Sequence, residues 1–212
     1  MGTIKQGVLG GFSGKVGTVI GASWKGTAYM RGQATHVKNP RTEKQIAQRT
    51  KMEFARNYLQ QAAEFINIGF KDVAKRQSPL NYAASQMMRD AIYGDYPDYS
   101  PVYSKLKWSH GLLTPPVVET VYANYDALDF LWVNNSGQGN AKADDISMVV
   151  VCSEEKQEIK YFMNGHTRST KSTHCELPES WVDDHVHVYI TMRSADGKLI
   201  SNSHYCGEFL LE

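Results

Sequence analysis

The sequence predicts an α+β fold in which a glycine-rich β-ribbon and two helices precede an all-β sandwich. Three observations predict it. Nine of the first 38 residues are glycine, set among Val, Ile, Thr, Tyr and Trp, so that stretch reads as short strands with tight turns. A helical apolar period follows over 43–68 and again over 79–93. Beyond residue 100, turn-forming residues recur between short runs of β-branched and aromatic side chains.

In the ribbon, 15–20 and 27–31 are the β-prone pieces, and Trp24-Lys25-Gly26-Thr27 reads as a hairpin tip. An isolated hairpin is marginal in water, so the ribbon must pack on something. Asn39-Pro40-Arg41-Thr42 then opens a helix, with Thr42 as the N-cap and Gln45 completing a capping box. Ile46, Phe54, Tyr58, Ala62 and Phe65 share one face up to the stop at Gly69. The second helix carries Tyr82, Met87, Met88 and Ile92 and ends at Gly94. The turn-rich 95–101 marks the expected domain boundary, giving a ribbon-and-helix region over 1–98 and a sandwich over 99–212. Strands are expected at 102–108, 117–123, 128–133, 145–152, 158–163, 170–176, 185–193 and 199–211, spaced as in a sandwich. Trp132, sharing a face with Leu128 and Phe130, and Trp181 should anchor its core.

Composition narrows the function classes. With 42% hydrophobic and 11% aromatic residues among 212, the chain can bury a core, which excludes global disorder. No apolar run reaches the ~18 residues of a spanning helix, so no membrane partner is expected. The first residues lack the apolar core of a signal peptide. Synthesis is therefore expected in the cytoplasm, with a virion or the extracellular space as the place of action after release. Three dispersed cysteines without a Cys-x-x-Cys pair fit a reduced chain.

Catalytic patterns are missing. Gly14-Lys15 is followed by Val16 instead of the hydroxyl a phosphate loop needs, and no Gly-x-Gly-x-x-Gly or Gly-x-Ser-x-Gly occurs. Asp144-Asp145, Glu154-Glu155 and Asp183-Asp184 read as solvated loop charges. No enzyme and no cofactor is expected. One metal-like set stands out. If Asp196-Gly197 is a two-residue turn, His187 opposes Cys206 and Tyr189 opposes His204, and His185, His187, His204 and Cys206 share a strand face. Those donors suffice chemically for zinc. A three-residue loop with a bulge would shift the pairing by one, and a polar sheet surface is the favoured reading.

Charge is unevenly distributed. Residues 1–99 hold 14 basic and 7 acidic residues, whereas the remainder holds 9 and 15. In the first 56 residues ten basic side chains meet only Glu43 and Glu53. Such a segment can hold phosphates or dock on an acidic partner, including the acidic half of a second copy, although a solvated charge face is the commonest outcome for such a run.

The run from Gly7 to Gly21, the Asn39-Pro40-Arg41-Thr42 and Gln45…Arg49 stretch, and the later Leu177-Pro178-x-x-Trp181, His187-Val188-Tyr189 and Ser201-Asn202-Ser203-x-Tyr205 resemble an uncharacterised domain family of Bacteroidota proteins. That resemblance implies no catalytic residue. Asn-Pro-Arg-Thr-x-x-Gln-x-x-x-Arg is also similar to stretches in phage structural proteins, and the C-terminal half resembles an immunoglobulin or fibronectin-III module, a fold that hosts adhesion and assembly. The expected function is thus a structural protein of a phage-like particle or surface assembly. It is expected to associate with itself, and with other structural proteins, through Lys15, Val16, Val19, Ile20, Trp24, Tyr29, Arg31 and Arg41. Two alternatives remain: a nucleic-acid-associated protein using the basic half, and a hydrolase built on the β-domain, whose carboxylates would meet only in space.

Overall fold

The computed structural model describes residues 2–4, 10–24, 26–36, 41–75 and 77–212. The chain divides into two compact units, 1–42 and 43–212.

In the first unit, β1 (Thr3–Ile4), β2 (Phe12–Val16), β3 (Val19–Trp24) and β4 (Thr27–Gly32) form one antiparallel sheet in chain order. The piece expected as a strand over 15–20 is a hairpin. Val16 faces Val19 across the two-residue turn Gly17-Thr18, where Gly17 has φ +58°, the left-handed conformation such turns demand. The second hairpin turns where expected, with Trp24 opposite Thr27 and Gly26 at φ +89°; Lys25 lies outside the described residues, as do Asn39 and Pro40 of the expected helix opening.

The second unit opens with α1 (Glu43–Gln60), α2 (Ala63–Gly69) and α3 (Pro79–Asp90). Of the stripe read from sequence, Tyr58, Ala62 and Phe65 are buried and Ile46 and Phe54 half-buried, and Ala55 and Leu59 are buried beside them. The expected single helix over 43–68 is broken after Gln60. There the Gln61 amide donates to the Gln157 carbonyl at 3.0 Å and accepts from the Ile159 N–H at 3.2 Å, so tertiary bonding interrupts a pattern that local propensity would have continued. Ser78 caps α3 through the Asn81 N–H at 3.2 Å. The helix ends before the expected Tyr93, because 92–93 pair instead as β5 (Ile92–Tyr93) with β6 (Ser100–Pro101).

Seven further strands follow: β7 (Val117–Asn124), β8 (Ala127–Val133), β9 (Ile146–Ser153), β10 (Ile159–Phe162), β11 (Ser172–Glu176), β12 (His185–Arg193) and β13 (His204–Leu210). They make two antiparallel sheets, ordered β11-β8-β7 and β10-β9-β12-β13. The strand expected over 102–108 is absent. A 3₁₀ turn, Tyr103–Lys105, and irregular chain replace it, carrying Tyr103, Leu106 and Trp108 into the core. Side chains satisfy this backbone: Tyr189 Oη donates to the Tyr103 carbonyl at 2.6 Å, and the Trp108 N–H donates to Ser203 Oγ at 3.0 Å.

The four-stranded sheet is buried on both faces. On one face, Val149, Val151, Val186, Val188, Ile190 and Met192 pack with Leu128, Phe130, Trp132 and Trp181. On the other, Met148, Val150, Cys152 and Tyr189 pack with the apolar faces of the helices. The expected boundary at 98/99 is therefore corrected. The helices do not fold apart from the sheet but cover it, and residues 95–99 are the turn between β5 and β6.

Among the described residues, no helix is long and apolar enough to cross a membrane. One end of the two-sheet body is closed by Arg168, which is fully buried. Its Nε and Nη2 donate to Asp145 Oδ2 at 3.1 and 3.0 Å, Nη1 to Asn135 Oδ1 at 2.5 Å, and Nη2 to the Thr114 carbonyl at 2.9 Å. A single guanidinium thus joins the turns before β7, after β8 and before β9 to its own.

Candidate interaction surface

The pairing of the N-terminal sheet sorts its side chains. Residues directly opposite one another in an antiparallel sheet share a face. Phe12, Gly14 and Val16 on β2 therefore lie with Val19, Gly21 and Ser23 on β3 and with Ala28, Met30 and Gly32 on β4. The other face carries Ser13 and Lys15, then Ile20, Ala22 and Trp24, then Thr27, Tyr29 and Arg31. Gly21 lies under the Phe12 ring and main chain: an added Cβ would sit 2.2 Å from the Phe12 carbonyl oxygen, so only glycine fits. It is also the only buried residue among those described in 1–42. Trp24 is 69% exposed, Met30 70%, Val16 55% and Tyr29 44%.

β4 forms an edge of this sheet. The Gln33 N–H donates to the Thr18 carbonyl at 2.7 Å, and bonded pairs alternate along an antiparallel ladder. Thr27, Tyr29 and Arg31 thus turn their main-chain groups toward β3, while Ala28, Met30 and Gly32 turn theirs outward. No acidic residue precedes Glu43, so the whole unit presents one sign of charge.

Of the residues proposed from sequence for interaction, Lys15, Ile20, Trp24, Tyr29 and Arg31 meet on one face. Val16 and Val19 are on the other, and Arg41 is exposed beyond the sheet. Phe12 and Met30 were missed, although the period-2 alternation of β2 and β4 contains the signal that places them.

The four candidate metal-binding side chains are not brought together. Opposite β12, His187 faces Glu208, Tyr189 faces Tyr205 and Ile190 faces His204, with Cys206 the extra residue of a bulge. The connection is not a two-residue turn: the Ser194 N–H closes a loop on the Leu199 carbonyl at 2.9 Å, and β13 starts only at His204. His204 therefore pairs on the side of Ile190, Cys206 packs against the core between the sheets, and His185 and His187 stay on the opposite face. Among the described residues no group of three or more His, Cys, Asp or Glu could hold a metal ion. Burial pushes the thiols of Cys152, Cys175 and Cys206 up to about 12, which leaves them protonated and poorly nucleophilic at neutral pH.

His187 has other partners. Its Nε2 lies 3.2 Å from Glu154 Oε2 and its Nδ1 3.0 Å from Tyr205 Oη. A neutral imidazole here donates to the carboxylate and accepts from the phenol. Tyr103 stacks on the ring at 3.8 Å between centroids, and the Gln157 amide donates to Tyr103 Oη at 3.1 Å. Both ring nitrogens are engaged and the residue is only 5% exposed, so this imidazole offers no atom to a substrate. It clasps the 154–157 loop to β13.

His185 lies two residues before His187 on β12 and has a carboxylate partner of its own. Its Nδ1 is 2.8 Å from Glu155 Oε1, a bond that holds its pKa above the ordinary 6.5. Burial works to raise Glu155, but its bonds from the His185 ring and main chain outweigh that and hold it below the usual 4.5. A raised histidine stabilises the fold below 6.5 and loses that contribution as pH rises through its folded value. A lowered carboxylate contributes above 4.5 and loses it as pH falls. The pair is strongest between those limits. Glu155→Gln is expected to move the His185 titration downward, as followed by imidazole NMR; an unmoved titration would show that the pair does not form in solution.

No curated protein matches the chain. The model of a family of unknown function, DUF6266, matches residues 11–207 and so takes in β2, β3, β4, the helices and nearly all of both later sheets. The chain belongs to the DUF6266 family.

Proposed function

We propose that this chain is a non-enzymatic structural protein that assembles with copies of itself, as a component of a phage-like particle or surface assembly, and that its N-terminal sheet makes the contact. One observation carries the reading. A sheet of four strands buries only Gly21 among its described residues and leaves Val16, Trp24 and Met30 exposed. Small antiparallel sheets are stable when a hydrophobic face is covered, and exposed apolar faces of this kind mark interaction sites. The Phe12-Val16-Val19-Met30 face and the outward main-chain groups of β4 are what a second copy would cover. The basic half meeting the acidic half of a neighbour favours head-to-tail contact.

The two-sheet body supports the same reading. Its β11-β8-β7 and β10-β9-β12-β13 orders support our reading of this body as a sandwich of the immunoglobulin or fibronectin-III kind. Many cell-surface domains share that architecture.

Mass in solution tests the proposal. The full chain is expected to form oligomers that dissociate as salt rises, and Val16→Lys with Met30→Lys is expected to leave monomers. A parent chain that stays monomeric at high concentration would overturn it.

A further inference from the structure

The second face of the N-terminal sheet has a different chemistry. Trp24 and Tyr29 are diagonal neighbours on it, because Trp24 opposes Thr27 and Tyr29 opposes Ala22. Diagonal side chains stand about 7–8 Å apart, within reach of successive unstacked bases. One step along the sheet, Lys15, Ile20 and Arg31 form a cross-strand row, with the two cations on either side of the isoleucine. Both cations are exposed, and no carboxylate anywhere in 1–42 competes for them.

We propose that this face binds single-stranded nucleic acid, with bases stacked on Trp24 and Tyr29 and phosphates on Lys15 and Arg31. Stacking aromatics beside a basic row is how sequence-tolerant single-strand binders work. A duplex hides its base faces and gains only the electrostatic part. Composition indicated the charge; the pairing of β3 with β4 adds the stacking pair on the same side.

The chain contains its own reporter. It has four tryptophans, and Trp108, Trp132 and Trp181 are at most 1% exposed, so base stacking can quench only Trp24. The full-length protein would be titrated with fluorescein-labelled oligothymidylate, oligouridylate and a mixed-sequence duplex, following anisotropy and tryptophan emission at 50 and 200 mM salt. Both single strands are expected to bind, quench the emission and outcompete the duplex. Trp24→Ala and Tyr29→Ala should each weaken binding about 5- to 100-fold. The exposed pair Lys15→Gln with Arg31→Gln should reduce the dependence of log affinity on log salt by roughly 1.4 and leave the circular dichroism unchanged.

Three results would overturn the proposal. One is the absence of single-strand binding at 50 mM salt. Another is binding that treats duplex and single strand alike and ignores Trp24→Ala and Tyr29→Ala, which is charge alone. The third is self-association abolished by Trp24→Ala and Tyr29→Ala but untouched by Val16→Lys with Met30→Lys, which would make this face the contact between copies. Assembly, which we assign to the opposite face, stands or fails separately.

Discussion

Asp145→Ala is expected to cost the 43–212 unit about 3–5 kcal/mol, a large part of the 5–15 kcal/mol that holds a typical domain folded. Arg168 and Asp145 are both completely buried. Removing the carboxylate strands a guanidinium in a low-dielectric interior, where its remaining acceptors, Asn135 Oδ1 and the Thr114 carbonyl, are neutral. Asp145 also accepts the Lys142 N–H at 2.9 Å, so the turn entering β9 loses its brace. Urea denaturation would measure the loss. The double replacement Asp145→Leu with Arg168→Met should recover much of it, because no charge is then left unpaired. Equal stability of Asp145→Ala and parent would mean that the pair is not formed.

Trp132→Ala is expected to cost a similar 3–5 kcal/mol. The ring is 1% exposed between the two sheets, and its Nε1–H donates to the Arg168 carbonyl at 3.0 Å. Truncation opens a cavity and takes from the Arg168 carbonyl one of its two donors, leaving the Lys171 N–H at 3.3 Å. Trp132→Phe keeps most of the apolar area and loses the bond, so its cost should be nearer 1 kcal/mol. A midpoint of Trp132→Ala equal to the parent's would place the residue outside the core.

These two sites show what the sequence made legible. Trp132 could be read directly, because Leu128, Phe130 and Trp132 alternate with less buried neighbours and one buried face per strand is what period two records. The same alternation placed β7, β8 and β12 to within a residue or two. Arg168 could not be read, since its partners at 114, 135 and 145 come from three separate turns and meet only after folding. The register of the last hairpin stayed open for a related reason: the extra residue at Cys206 and the loop closed by Ser194 are set by how β13 lies against β12, and nothing in Asp196-Gly197 announces them. The boundary at 98/99 was misplaced because turn-rich composition marks a reversal of the chain equally well inside a domain and between domains. The interaction face was half legible. Lys15, Trp24, Tyr29 and Arg31 were named for their chemistry, but which of them share a side depended on register.

The sheet built on Gly21 carries a thermodynamic consequence. Ordering each residue costs about 1–2 kcal/mol of chain entropy, and a layer that removes so little apolar surface from water recovers little of that by itself. Its order must then be coupled to whatever covers it, and by mass action such coupling depends on concentration. The described strands β1 to β4 would behave as a threshold element: melted in dilute solution while the second unit stays intact, and structured above a critical concentration of the covering surface. Hydrogen exchange in the two units would accordingly respond in opposite ways to dilution, with the first losing protection and the second indifferent to it.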